Sequence, residues 1–405
     1  MNIAYKPKQL LAAISWSFLL GSLQVQAGSL AEALDHAWAR HPRATAFPAL
    51  TDAVRASSEL AAALTPGPAK LSLSHLSDQV GANQGKEEWE IELATPLWLA
   101  GQKSAHIAEA TIHGEDLDNQ RAALRLELAG ELRNAWWGLA TARQKLELAG
   151  GRLSSARALE VDVLRRYRAG ELSRVDANQA RAATHAAQNE FLLADAAARE
   201  SDLSWRTLTG LAGPNLTPPE TMPERHGQTA MHPRLAAMES ALRTARARLA
   251  SVQASQRDAP ELAVRLLRER GGGNESYASA IGVKLSIPFA SGARLGLASA
   301  ERRAEILQRE AELALARQSV QNELDQAWFE LDLAEQQRIL AQKRHELAAD
   351  TLALVEKAFR IGESDLSMLL RSRATAFDAE DRLKHQEIAH GKAISRLKQA
   401  QGQMP

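Results

Sequence analysis

The sequence contains a duplicated unit, because the same motifs return at one fixed distance along the chain. The recurring pairs, 191 or 192 positions apart, are His41-Pro42-Arg43 with His232-Pro233-Arg234, Pro96-Leu97 with Pro288-Phe289, Ala135-Trp136-Trp137 with Ala327-Trp328-Phe329, and Tyr167-Arg168-Ala169-Gly170-Glu171 with Phe359-Arg360-Ile361-Gly362-Glu363. One offset kept over most of each half indicates that a whole fold unit was duplicated. The period is too long for the short repeats of solenoid proteins.

This duplication divides the chain into segments. We predict a first structural repeat over residues 28–211 and a second over residues 231–405, joined by a proline-rich linker at residues 212–230. Residues 1–27 have the features of an export signal, with a basic start, an apolar stretch and the small-residue cleavage site Val25-Gln26-Ala27. The apolar stretch is too short to span a bilayer as a helix, although an uncleaved anchor is the alternative.

Composition narrows the function classes. Only 4% of the residues are aromatic, and Ala, Leu, Glu, Arg and Gln dominate, as in long packed helices. The formal net charge is zero, which argues against nucleic acid as a partner. The chain has no cysteine, which excludes disulfides, thiolate metal sites, cysteine nucleophiles and a lipid attached to an N-terminal cysteine.

Each repeat is expected to contain a pair of strands, at residues 69–97 and 260–289. In the first pair, the run Glu88-Trp89-Glu90-Ile91-Glu92-Leu93 alternates charged and apolar residues, a period of two that predicts a strand with one wet face and one apolar face. In the second pair, Leu262, Val264 and Leu266 fall on one side of a strand, with Ala263, Arg265 and Leu267 on the other.

Long helices are predicted around these strands. A run without proline extends from about Gln102 to Ala169, and its counterpart from about Leu295 to Ile361. At 1.5 Å per residue each helix reaches about 100 Å, and both carry a heptad seam of Leu and Ala. Each is expected to turn at Gly170 or Gly362 and to return as a shorter helix. We also predict a single helix from Leu30 to Leu64.

A lone copy of this chain cannot close a sheet in lipid. Strands of about 10 residues can cross a bilayer at a tilt, but four strands leave open edges, and single-chain bacterial barrels start at eight. Three copies supply 12 strands. The predicted fold is therefore mainly α with a small β part, as a homotrimer that forms a 12-stranded transmembrane β-barrel and a periplasmic α-helical tunnel. The alternative is a soluble pair of β-hairpins that caps a coiled coil.

Specific motifs point to a known family. They are Leu30-Ala31-Glu32-Ala33-Leu34 through His41-Pro42, the break at Leu64-Thr65-Pro66, Pro96-Leu97-Trp98 followed by Gly101, and Tyr167-Arg168-Ala169-Gly170. In their order, spacing and duplication they resemble the TolC family of outer-membrane efflux channels. The resemblance implies a homotrimer in the outer membrane of a Gram-negative cell, which extends into the periplasm and docks to a periplasmic adaptor (membrane fusion) protein and an inner-membrane pump.

Two sets of residues are candidates for function. The tip that contacts the adaptor is predicted to comprise Tyr167, Gly170, Glu171, Leu172, Ser173, Asp176, Phe359, Gly362, Glu363, Ser364 and Asp365. The channel lining is predicted to comprise Glu88, Glu90, Glu92, Arg265 and Lys284. The three glutamates favour cations if they face a lumen, unless Arg265 and Lys284 balance their charge. Some relatives narrow the tunnel mouth with acidic residues, and here the corresponding positions hold Asp176 in one repeat and Met368 in the other.

No catalytic, cofactor or metal site is predicted. The histidines lack the i, i+4 spacing that grips a metal from one helix face, and no nucleophile with its base is visible. Trp136-Trp137 and Trp328-Phe329 are interpreted as packing residues. The leading hypothesis is an efflux duct for drugs or metal cations. The alternatives are the duct of a type I protein secretion system, a periplasmic adaptor, a soluble periplasmic coiled-coil protein and an envelope hydrolase.

Overall fold

The computed structural model describes residues 29–214, 220–222, 231–289 and 292–405, so the predicted export signal and most of the linker lie outside the described residues. The helices are α1 (Leu30–Arg40), α2 (Phe47–Ala62), α3 (Gln102–Arg168), α4 (Arg174–Thr209), α5 (Pro233–Ala254), α6 (Gly292–Ile361) and α7 (Leu366–Ala400). The strands are β1 (Lys70–Ser77), β2 (Glu87–Pro96), β3 (Glu261–Arg270) and β4 (Ala278–Ser286).

The first helical segment differs from the prediction. Instead of one helix from Leu30 to Leu64, the chain forms α1, a short 3-10 turn and α2. The break falls at His41, whose backbone is extended at φ −73° and ψ 125°. The proline that follows disfavours helical geometry in the residue before it, and it has no amide hydrogen to continue the helix. The prediction of a single helix was therefore wrong because it overlooked Pro42.

The four strands form one antiparallel sheet in the order β1-β2-β3-β4. The two repeats meet at its centre, where β2 pairs with β3 along ten residue pairs from Glu87↔Arg270 to Pro96↔Glu261. All four connections to helices leave from one end of the sheet, and the two hairpin turns lie at the other end. This arrangement confirms the predicted strand pairs and gives the molecule a helical end and a turn end.

The two long helices are also as predicted. Helix α3 has 67 residues and α6 has 70, and each runs without a break. Helix α3 packs along α4 and α5, while α6 packs along α7 and α5, so α5 lies between the two long helices. None of the helices among the described residues is both long and apolar enough to cross a membrane.

The main core lies where α1, α3 and α4 meet. Trp136, Trp137 and Trp205 are buried there, and the Trp137 indole donates a hydrogen bond to Ser395 Oγ of α7 at 2.9 Å. Trp328 packs against a second cluster between α6 and α7. Phe329, however, is 68% exposed. Within the single chain Phe329 does not pack, because this side of α6 has no helix over it among the described residues, and its role as a packing residue stays a prediction.

A buried ion pair fastens the linker to α3. Arg133 and Glu220 are each 3% exposed, and the guanidinium donates two hydrogen bonds to the carboxylate, at 3.1 and 2.7 Å. Arg133 also donates to the side-chain oxygen of Gln399 and to the carbonyl oxygen of Gln403, the latter at 3.0 Å. One side chain thus holds α3, a linker residue and the C-terminal segment together.

Candidate functional site

The sheet has one apolar face. Cross-strand pairing places Leu93 beside Val264 and Ile91 beside Leu266, and the row continues across all four strands. Its members are exposed, with Leu71 at 73%, Ile281 at 75% and Val283 at 72%. An uncovered apolar face of this size in an isolated chain marks a surface that lipid or another chain covers.

The opposite face is charged, and all five residues predicted to line a channel lie on it. The register places Glu92 opposite Arg265 and Glu90 opposite Leu267. Arg265 Nη1 lies 3.7 Å from Glu90 Oε1, and Lys284 Nζ lies 3.5 Å from Glu92 Oε2. Two of the three predicted glutamates are therefore paired with the cations that the sequence suggested.

The charge on this face does not balance completely. Nearest the helical end, Lys70 Nζ pairs with Glu261 Oε1 at 2.9 Å. Nearest the turn end, Glu88 lies directly opposite Glu269, and neither carboxylate has a salt-bridge partner among the described residues. The face therefore keeps two uncompensated negative charges per chain, both at its turn end. The sequence alone does not single out Glu269, because its partner is set by the long-range register of β2 and β3.

The helical hairpins end in two similar turns. Gly170 and Gly362 have φ values of 82° and 83°, a left-handed conformation that glycine adopts without strain. The following amides of Glu171 and Glu363 donate to Arg166 O at 3.0 Å and to Ala358 O at 2.9 Å. These bonds satisfy carbonyl groups at the ends of α3 and α6, so each glycine terminates its long helix as predicted.

Two acids predicted at the tip serve as helix caps. Asp176 accepts hydrogen bonds from Ser173 N at 2.9 Å and Ser173 Oγ at 2.7 Å, which completes a capping box at the start of α4. Asp365 accepts from Met368 N at 2.7 Å at the start of α7. These contacts give both carboxylates a structural role in starting the return helices.

The two tips are joined by a common core. Leu159 and Val163 of α3 pack with Leu366 and Leu369 of α7 and with Phe359 of α6. Phe359 is only 5% exposed, and the Arg166 guanidinium lies over its ring at 5.2 Å. The prediction that Phe359 contacts an adaptor was wrong for this chain, because the second hairpin buries its ring against the first.

Exposed apolar residues at the tip were missed by the sequence analysis. Val175 is 63% exposed, Ile361 64% and Met368 48%, while Tyr167 is 39% exposed as expected for a contact residue. Glu171, Ser173 and Glu363 are also exposed, and Leu172 and Ser364 are half-buried. Exposed apolar side chains beside the turns of the helical hairpins favour a protein contact at that end of the helices.

No cluster of three or more His, Cys, Asp or Glu side chains in the described part of the chain could hold a metal ion. Several grooves lie between the helices, among them one of about 550 Å³ that is lined by Trp136, Glu147, Lys384 and Glu387. Its charged groups come from several helices and include no nucleophile with a positioned base.

The second repeat matches a known family. Residues 229–403 match the family model described as "Outer membrane efflux protein". No curated protein matches the chain in sequence.

Solved structures share the fold over nearly the whole chain. The outer membrane protein VceC from Vibrio cholerae is similar with a TM-score of 0.74 and 16% identity, over 92% of this chain and 96% of that one. A membrane protein from Pseudomonas aeruginosa is similar with a TM-score of 0.72 and 18% identity, over 100% of this chain and 97% of that one. The MtrE outer membrane channel of Neisseria gonorrhoeae is similar with a TM-score of 0.71 and 16% identity, over 92% of this chain and 89% of that one.

The family match covers the second repeat, and the structural likeness extends over both. Residues 229–403 thus match the outer membrane efflux protein family, and the chain as a whole shares the fold of outer membrane channels of known structure.

Proposed function

We propose that three copies of this chain form a 12-stranded barrel in the outer membrane, continued by a tunnel of helices in the periplasm. The channel passively conducts small solutes, drugs or metal cations, which an inner-membrane pump delivers through a periplasmic adaptor protein. The observation that carries this proposal is the four-stranded sheet, which has one apolar face, one charged face and two open edges.

The open edges favour a barrel shared between chains. Strands β1 and β4 each have one neighbouring strand in the described part of the chain, so their outer backbone groups have no strand partner there. Each unpaired group costs several kcal/mol in lipid. Because four is an even number, β4 of one copy can pair with β1 of the next and keep the antiparallel alternation. Three copies then give a closed barrel of a size within the known range.

A line of apolar residues on α6 supports the same assembly. Leu333, Leu340, Leu347 and Leu354 recur every seven residues and are between 40% and 72% exposed. A heptad line predicts packing against another helix, and no helix of the described chain covers it. We assign it to the neighbouring copy.

The assembly can be tested by introducing charge into this line. Leu340→Glu combined with Leu347→Glu should reduce the particle in detergent from trimer to monomer, measured as molecular mass by light scattering. Gln342→Glu adds a charge on the opposite side of α6 and should leave the trimer intact. A wild-type protein that is solely monomeric would refute the proposal. A double variant that remains trimeric would show that this line on α6 does not lie in the interface between copies.

The tips are the proposed adaptor contact. Gly170 and Gly362 set the turns, and the exposed side chains around them include Val175 and Ile361. Ile361→Glu should abolish resistance to exported compounds while trimers remain in the outer membrane, and Ile361→Leu should keep resistance. Bulky residues at Leu172 or Ser364 test the same contact less directly, because both side chains are half-buried. Full resistance in Ile361→Glu would show that the tip does not contact the adaptor.

Conduction of small solutes can be separated from protein secretion. A deletion strain complemented with this chain should regain resistance to toxic small compounds or metal cations. If complementation instead restores release of a polypeptide and leaves resistance unchanged, the chain serves a type I secretion system.

A further inference from the structure

The apolar face of the sheet changes its chemistry toward the turn end. Its apolar rows end with Leu73, Ile91, Leu266 and Ile281. The next row toward the turns contains His75, Trp89, Arg268 and Ser279, and the row beyond contains Glu87 and Arg270. An apolar band is thus followed by aromatic and basic side chains on the same face.

Two guanidinium groups share one aromatic ring in these rows. The guanidinium carbons of Arg268 and Arg270 lie 4.7 and 5.0 Å from the centroid of the Tyr277 ring. Arg270 Nη2 also lies 3.0 Å from Glu87 Oε1, and the Tyr277 hydroxyl donates to the same carboxylate. Tyr277 therefore holds the two cations side by side, with a single carboxylate against them.

The cluster retains unused hydrogen-bond donors. Arg268 has no carboxylate within salt-bridge distance and no hydrogen bond among the described residues. The Nε of Arg270 is buried without a hydrogen-bond partner. A guanidinium has five N–H donors in a fixed fork, and a buried unpaired donor costs roughly 1–3 kcal/mol. The N–H donors of Arg268, whose side chain is exposed, suit an oxyanion that approaches this face from outside the chain.

The position of the cluster identifies the source of that oxyanion. The helices leave from the other end of the sheet and extend into the periplasm, so the turn end faces outward. Arg268 lies one row beyond the apolar band, at the level of the outer-leaflet headgroups, where aromatic girdles flank transmembrane barrels. The outer leaflet of this membrane consists of phosphorylated glycolipid.

We propose that Arg268 and Arg270, supported by Tyr277, bind the phosphate groups of an outer-leaflet glycolipid of the lipid A type. This inference rests on the barrel of the proposed function. The guanidinium fork of arginine matches phosphate geometry with two parallel hydrogen bonds. The phosphate of a lipid beside the barrel lies at the headgroup level, which is the level of Arg268. The competing reading is that both side chains only extend into water.

The test uses full-length trimers in mild detergent, with bound lipid counted by native mass spectrometry after addition of diphosphorylated or dephosphorylated lipid A. Wild-type protein should retain the diphosphorylated form preferentially. Arg268→Gln should lower that retention on the order of tenfold, and Arg268→Lys should lose less. Arg265→Gln is the matched control, because it removes the same charge from the same strand on the opposite face.

Equal retention of both lipids by wild-type protein would overturn the proposal without any variant. Equal losses in Arg268→Gln and Arg265→Gln would also overturn it, since a face-independent loss reflects net charge alone. Conductance in planar bilayers tests the barrel separately from the lipid site. Channels that open normally but show no phosphate preference refute only the lipid site, whereas wild-type protein that forms no channels refutes the barrel.

Discussion

Two pairs of substitutions on the charged sheet face separate uncompensated charge from paired charge. Glu88→Gln with Glu269→Gln removes the two carboxylates of this face for which the described residues provide no salt-bridge partner. Glu92→Gln with Lys284→Gln removes an ion pair of 3.5 Å and leaves the net charge unchanged. The first double variant should lower the cation preference of the channel strongly, and the second should hardly change it.

The magnitude follows from the geometry of the proposed barrel. With 12 strands about 4.8 Å apart and tilted by about 40°, the backbone lies ~12 Å from the axis and the carboxylates ~8 Å from it. Each charge then contributes about 0.5 kcal/mol on the axis in water, reduced to about 0.2 kcal/mol by screening at 0.1 M salt. Six charges give about 1 kcal/mol, favourable to a cation and unfavourable to an anion.

The assay is the reversal potential of single channels under a salt gradient. The six charges lower the free energy of a cation on the axis and raise that of an anion by the same amount. Their loss should therefore reduce the cation-to-anion permeability ratio roughly ten- to a hundredfold at 0.1 M salt. At 1 M salt, where the screening length is about 3 Å, the reduction should shrink to about twofold. Equal effects of the two double variants, or an effect that does not depend on salt, would refute the assignment of Glu88 and Glu269 to the lumen.

Three further predictions follow from other contacts. Cysteine at Glu90 should react with a water-soluble thiol reagent through the pore and cysteine at Ile91 should not; the reverse pattern would show that the face assignment is wrong. Arg133→Met should cost about 3–5 kcal/mol of stability per chain, because it leaves Glu220 buried without Arg133 as its partner, and this loss should appear as a lower temperature of trimer dissociation. Adding Glu220→Leu should restore most of that stability. Burial holds the pKa of His232 below its usual range, so protonation favours the unfolded chain; heat stability should decrease as the pH falls from about 7.5 to about 5, and less so in His232→Asn.

Local patterns in the sequence were sufficient for the secondary structure and much of the architecture. The alternation around Trp89 defined a strand, and the proline-free runs defined α3 and α6. Gly170 and Gly362 defined the hairpin turns. These features depend on neighbours within a few residues, where periodicity and backbone freedom act directly. The single helix predicted across Pro42 failed for a local reason as well, because the constraint on the residue before proline was not applied.

The pairing of charges and the fate of individual tip residues were decided by tertiary structure. Residues of β2 and β3 are far apart in the chain, and only the register of these strands pairs Arg265 with Glu90 and leaves Glu88 facing Glu269. Phe359 ends a helix like Tyr167, yet it is buried because the second hairpin packs against the first. The sequence determined which elements form and which faces are apolar, since these properties are local. Tertiary structure decided which charges remain uncompensated, because that depends on contacts between the two repeats.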